Sequence, residues 1–122
     1  SDSRLSERAL REIYLKGFEI CVKEAAPRSV MTSYNLINGI YASENYELIG
    51  EILQGEWGYK RMIKTDRDQK KNPVLEVKAG NDMKMPVGYP EDLRLALENG
   101  ELTRADLEAC AKRVLNVYMR FE

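Results

Sequence analysis

Histidine is absent from this chain of 122 residues. Its absence excludes a Ser-His-Asp triad, a Cys-His pair and any histidine-ligated metal site within the sequence. Only two cysteines occur, Cys21 and Cys110. Each lies inside an apolar helical pattern, so buried thiols are expected rather than a bridge or a metal pair, and no cofactor is implied. No apolar run is long enough to span a bilayer and no signal-peptide pattern opens the chain, so a soluble chain of unspecified compartment is expected. Charge of either sign is not in excess either, since 19 basic residues against 20 acidic ones leave a formal charge of -1. That balance points to neither nucleic acid nor an anionic membrane surface. Repeats, low-complexity tracts and linkers are lacking as well. Chemistry would have to rest on carboxylates, Tyr, Lys or Cys.

What is present is a globular balance, 32% charged and 43% hydrophobic, over a length suited to one domain, 1–122. From Leu5 to about Ala25, the apolar positions Leu10, Ile13, Tyr14, Gly17, Phe18 and Cys21 fall on one helical stripe and predict a packed amphipathic face. Pro27 follows the helix. Residues 29–34 are rich in β-compatible types and lead into the turn former Asn38-Gly39, so a strand entering a loop is expected. Ser43 is a candidate N-cap for a second helix that buries Leu48, Ile49, Ile52 and Leu53 and stops at Gly55.

Residues 61–65 read as a second strand, an odd one because Lys60, Met62 and Lys64 share one side while Arg61 and Ile63 share the other. A buried parallel strand is ordinarily an almost continuous apolar run. After a polar loop, Pro73 to Ala79 suits a short helix begun by proline, and 81–85 is a third strand candidate closed by Pro86. Pro90 opens a helix with Leu93, Ala96 and Leu97 inward, and Asn99-Gly100 stops it. Thr103 with Asp106 resembles a capping box before a final helix striped by Leu107, Cys110, Ala111, Val114, Leu115 and Tyr118. The order α-β-α-β-α-β-α-α implies an α/β fold with parallel pairing and right-handed crossovers. A partial (β/α) barrel of about three parallel strands, 29–34, 61–65 and 81–85, is the expected architecture.

Several strings resemble the second half of the catalytic barrel of family 3 glycoside hydrolases, the β-glucosidase and β-xylosidase family. Residues Ser6 to Leu15 are similar to that family's helix before the sixth strand. Val30-Met31-Thr32-Ser33-Tyr34-Asn35 with Asn38-Gly39 is similar to the strand and loop that follow. Glu56-Trp57-Gly58-Tyr59 resembles its WGF-type turn, and Ala79 to Pro86 its AGxDxxMP motif. The pieces occur in the family's order and cover nearly the whole chain. The resemblance implies an excised C-terminal part of that barrel, smaller than the roughly 250 residues of a complete one.

In the family, the aspartate of an S/T-D-W motif at the end of the seventh strand is the nucleophile, so the resemblance implies that role for Asp66 of Thr65-Asp66. It implies a place near the substrate-binding subsite for Tyr34, and a β-linked glycoside as the parent's substrate. A carboxylate at the top of a barrel strand can attack an anomeric carbon, and water then hydrolyses the glycosyl-enzyme with retention. That mechanism needs a second carboxyl group within roughly 5.5 Å. No stretch matches the family's acid/base residue or its Lys-His pair, so the chain alone is expected to be inactive.

The family's tryptophan after the aspartate is replaced by Arg67, and Arg61 and Lys64 stand where that strand carries small or apolar residues. These departures support an alternative: an engineered, non-catalytic scaffold whose 60–72 segment presents a binding or epitope surface to a designed protein or an antibody. The bland account of that charge run is a solvated face. Exposed strand edges would also allow pairing with a second copy. Asp82 reads as a turn-fixing residue, and Glu56 with Trp57 as a loop glutamate beside a packed aromatic.

Overall fold

The computed structural model describes residues 1–67 and 71–119. Four contiguous helical segments, Glu7–Ala9, Leu10–Tyr14, Lys16–Ile20 and Cys21–Ala25, form one run, α1 (7–25). Ser6 caps it by accepting the Ala9 N–H at 3.1 Å. The second and fourth segments wind wider than an α-helix: the Leu15 N–H, for example, donates to the Leu10 carbonyl five residues back.

The expected packed stripe is not a packed face. Ile13 is 68% exposed, Tyr14, Phe18 and Cys21 are also exposed, and Val22 is the buried residue of the run. Wide winding is not the reason, since Glu47–Glu56 is wide-wound throughout and still buries Ile49, Ile52 and Leu53; the stripe is exposed because no described element packs over it. Leu10, Tyr14, Phe18 and Cys21 instead line an open apolar trough of about 770 Å³. Cys21 is therefore an exposed thiol, contrary to expectation, whereas Cys110 is buried as expected.

Ala26 ends α1 in the left-handed region at φ 45°, and its carbonyl accepts from Arg61 Nη1 at 2.6 Å. The chain then enters β2 (Ser29–Thr32), which pairs in parallel with β5 (Met62–Thr65), Ser29 opposite Met62 and Thr32 opposite Thr65. Alternation puts Val30, Thr32, Ile63 and Thr65 toward the helices and sets Met31 opposite Lys64 on the other face, where Met31 is exposed and Lys64 half-buried.

A small sheet was not anticipated: β1 (Asp2–Ser3), β3 (Leu36–Ile37) and β4 (Ile40–Tyr41), in the order β1-β3-β4. Its hairpin turns on Asn38 and Gly39, both at positive φ (51° and 85°), as a two-residue turn between twisted strands requires. Strands of two residues carry no period for sequence reading to detect.

Helix α2 (Glu47–Glu56) runs one residue past Gly55 and buries Ile49, Ile52 and Leu53. Its first turn is capped by Asn45, whose Oδ1 accepts the Leu48 N–H at 3.1 Å, and not by Ser43. Ser43 lies one turn earlier, in the single helical turn Ala42–Glu44, and is almost fully buried. Ile49 and Leu53 join Val22, Tyr59, Ile63 and Ala79 in one core, with Val30 and Trp57 packed against it.

The third strand expected at 81–85 is a single parallel bridge between Lys64 and Met83. Side chains take places that a backbone ladder would fill: Ile63 N donates to Asp82 Oδ2 at 2.8 Å, and Met85 N donates to Thr65 Oγ1 at 2.9 Å. Backbone contact is retained where Asp82 N and Met83 N donate to the Ile63 carbonyl and Thr65 N donates to the Met83 carbonyl.

Helix α3 (Pro73–Ala79) begins at Asn72, whose Oδ1 accepts from Val74 N and Leu75 N, and ends at Gly80 with φ 116°. Helix α4 (Pro90–Asn99) stops at Gly100, and α5 (Arg104–Met119) starts from the expected reciprocal bonds between Thr103 and Asp106. Val74, Ala96 and Leu102 form a second core, joined by Val77, Leu93 and Leu107. Leu97 of α4 and Ala111, Leu115 and Tyr118 of α5, expected inward, are exposed, because the cover reaches only part of each stripe, on α5 the side that carries Leu107, Cys110 and Val114. The result is an α/β fold with helices around a parallel pair, and the sheets are partial.

Candidate active site

Thr65-Asp66 leaves the C-terminal end of β5, the edge at which α/β proteins place their chemistry. The Asp66 N–H donates to the Thr32 carbonyl at 3.0 Å, extending the β2–β5 pairing one step past the last ladder residue. Its Oδ1 accepts the Arg67 N–H at 2.7 Å, and the residue is half-buried. Tyr34 follows β2 by two residues at the same edge, with 61% of its surface exposed. Parallel pairing thus brings both sequence-derived site residues to one edge.

The loop after Asp66 is tied back to the Tyr34 loop. Lys71 Nζ donates to the Tyr34 carbonyl at 3.0 Å and lies 4.5 Å from the Tyr41 ring centroid. Burial lowers the Lys71 pKa from its ordinary value. The Asn72 N–H donates to Glu44 Oε1 at 2.7 Å. Within the 60–72 segment, Arg61 is thus engaged with Ala26 and Lys71 with Tyr34, while residues 68–70 lie outside the described residues.

Beneath the edge lies a buried polar cluster that sequence reasoning missed. The Thr32 hydroxyl donates to Asn81 Oδ1 at 3.0 Å. Asn81 Nδ2 donates to the carbonyls of Ser43 and Glu76. The Ser43 hydroxyl donates to Glu76 Oε1 at 3.1 Å. Lys84 Nζ lies 2.8 Å from each Glu76 oxygen, but only Oε1 receives an aligned hydrogen bond. Glu76 is 3% exposed, so this is an ion pair out of water. A glutamate and a lysine eight positions apart give no spacing signal, and Ser43 carried the misleading signature of a cap.

The remaining charged candidates are structural. Asp82 accepts from Ile63 N and from Arg113 Nε at 2.8 Å, bolting α5 to the sheet. Its burial raises its pKa above the ordinary value, against the pull of those donors. The neighbouring Cys110 thiol is pushed up to about 11 by burial. Glu56 receives two bonds from Arg11, at 2.6 and 3.0 Å, which lower its pKa, and Trp57 packs on the first core. Among the described residues, no group of three His, Cys, Asp or Glu side chains could hold a metal ion, and no helix is long and apolar enough to cross a membrane.

The decisive observation is a match of residues 2–117 to the family described as "Glycosyl hydrolase family 3 N terminal domain". The chain belongs to glycosyl hydrolase family 3. It is 48% identical over 108 residues to Beta-glucosidase A of Butyrivibrio fibrisolvens, covering 88% of this chain and 13% of that protein. Over 117 residues it is 36% identical to the Exo-alpha-(1->6)-L-arabinopyranosidase of Bifidobacterium longum, 95% of this chain and 16% of that protein. Among solved structures, beta-glucosidase 3B from Thermotoga neapolitana in complex with glucose superposes with a TM-score of 0.91 at 42% identity, over 95% of this chain and 18% of that one. The chain therefore spans less than a fifth of the family 3 relatives named here.

Proposed function

We propose that this family 3 chain, read as one domain over 1–122, carries the nucleophile edge of a retaining β-glycosidase, a piece of its (β/α) barrel. Asp66 attacks the anomeric carbon and Tyr34 lies beside the bound sugar. The observation that carries the reading is the placement of Asp66 at the C-terminal end of β5, its amide held by the end of β2 and Tyr34 on the adjoining loop. A family that includes beta-glucosidases, one of them solved with glucose, supports a β-linked glycoside as the substrate class.

The 122 residues are inactive by themselves in this reading. Retention needs a second carboxyl group roughly 5–5.5 Å from the nucleophile. The carboxylates of the flanking elements are engaged elsewhere, Glu44 by Asn72 and Glu76 by Ser43 and Lys84. Positioning and electrostatic stabilisation supply most of an enzyme's rate enhancement, so a nucleophile alone gives almost none.

The test places residues 2–117 into Beta-glucosidase A of Butyrivibrio fibrisolvens in exchange for its matching stretch and assays aryl β-glycosides. The chimera is expected to turn over, and Asp66→Ala to lower kcat by about a thousandfold or more. Turnover that survives Asp66→Ala sinks the nucleophile role. Turnover by the isolated chain, lost on Asp66→Ala, sinks the claim that it is inactive alone.

A further inference from the structure

The buried cluster closes on Asp66. Asp66 N bonds Thr32 O, the Thr32 hydroxyl bonds Asn81, Asn81 bonds Ser43 and Glu76, and Ser43 bonds Glu76 again. The segment holding Lys84 returns to the same place, since Thr65 N donates to Met83 O and Met85 N to Thr65 Oγ1. The charged side chains bonded within the ring are Glu76 and Lys84, 3% and 15% exposed, with Lys71 near enough to act on both electrostatically. Every neutral member is an amide, a hydroxyl or a carbonyl, which can solvate a buried charge by hydrogen bonding but carries no opposite charge to neutralise it.

We infer that Glu76 and Lys84 are a positioning pair for Asp66: their ion pair closes the ring that fixes the backbone leading into the nucleophile position, at Thr65 and the Asp66 N–H. This deepens the proposed function and rests on it for its catalytic meaning. At Glu76 the Ala42–Glu44 turn, remote in sequence, meets α3 and the 81–85 stretch that follows it. Removing one partner of such a pair leaves an uncompensated buried charge, which the site relieves by opening toward water. Both charges sit behind the sheet edge and act through Ser43, Asn81 and Thr32, without touching a substrate.

The test is amide hydrogen exchange on the chain itself, with no substrate present. Glu76→Gln, Lys84→Met and Ser43→Ala are expected to speed exchange at Asp66 and Thr65 by about tenfold or more relative to Tyr59, whose N–H bonds Leu53 in the first core. The double variant Glu76→Gln/Lys84→Met, which buries no charge, is expected to recover most of the protection. Unchanged exchange at Asp66, or a rise equal to that at Tyr59, overturns the inference, as does a double variant no better protected than the worse charged single. Should either charged single variant fail to fold, Ser43→Ala decides, because it opens the ring without stranding a charge. Exchange requires no turnover, so failure here leaves the nucleophile proposal standing, and failure of the chimera assay leaves this one standing.

Discussion

Ile13, expected on a packed stripe, and Ile63, on a strand that sequence shows carrying charge on both faces, differ sharply in burial, and replacing each with alanine measures the difference. Ile63 is 0% exposed at the centre of β5, packed among Val22, Ile49, Leu53, Tyr59 and Ala79. Truncation removes three carbons, about 2.4 kcal/mol of transfer free energy at about 0.8 per methylene. The unfilled space adds to this, for a total of about 3–4 kcal/mol. Ile13, 68% exposed on α1, loses little contact, and alanine returns a few tenths of a kcal/mol in helix propensity. Its change is expected within about 0.5 kcal/mol of zero. Urea unfolding followed by far-UV circular dichroism, at several protein concentrations and with the slope checked for constancy, reads both. A loss below about 1.5 kcal/mol for Ile63→Ala would refute the core assignment. A loss above that for Ile13→Ala would show that the α1 stripe is covered in solution.

Two further outcomes follow from the thiols and the carboxylates. Cys21 is expected to react with iodoacetamide in the native chain, while Cys110, buried and with its pKa pushed up to about 11, reacts only on unfolding; equal native labelling of both would contradict the burial. Burial raises the Asp82 pKa, so the folded state binds that proton more tightly than the unfolded state and stability gains as pH falls through the ordinary carboxylate range. Glu19, Glu56 and Asp106 have lowered values and lose their contributions over the same descent. From about pH 6 to about pH 3, the melting temperature of Asp82→Asn is therefore expected to fall more than that of the parent chain, and a smaller fall would reverse the sign.

Much of the fold was legible because punctuation residues act locally. Pro73, Gly80, Pro90, Gly100 and the Thr103–Asp106 pair bound α3, α4 and α5 close to where sequence placed them. The errors arise where a distant partner decides. Ser43 carries a cap's chemistry but is drawn inward by Glu76, and residues 81–85 carry strand composition but make a single bridge to β5, with the side chains of Asp82 and Thr65 taking two of the bonds. The stripe on α1 was visible as a pattern, but its wide turns and its lack of cover were not. Asp66 and Tyr34 were found through the surrounding motifs, since a half-buried aspartate beside an arginine has no spacing signature. The Glu76–Lys84 pair had no signal in one sequence, because its meaning lies in a juxtaposition that only the fold creates.

The unequal faces of the β2–β5 pair also bear on how the chain behaves at concentration. Helices cover Val30 and Ile63, while Met31 lies exposed on the opposite side with Lys64 as its cross-strand neighbour. Met62-Ile63-Lys64-Thr65 is a short run of β-forming character, and the lysine puts an ammonium at its centre. It thereby acts as a gatekeeper, resisting face-to-face stacking of sheets from different molecules. Lys64, one of the charges that made this strand look irregular in sequence, is the one that discourages its aggregation.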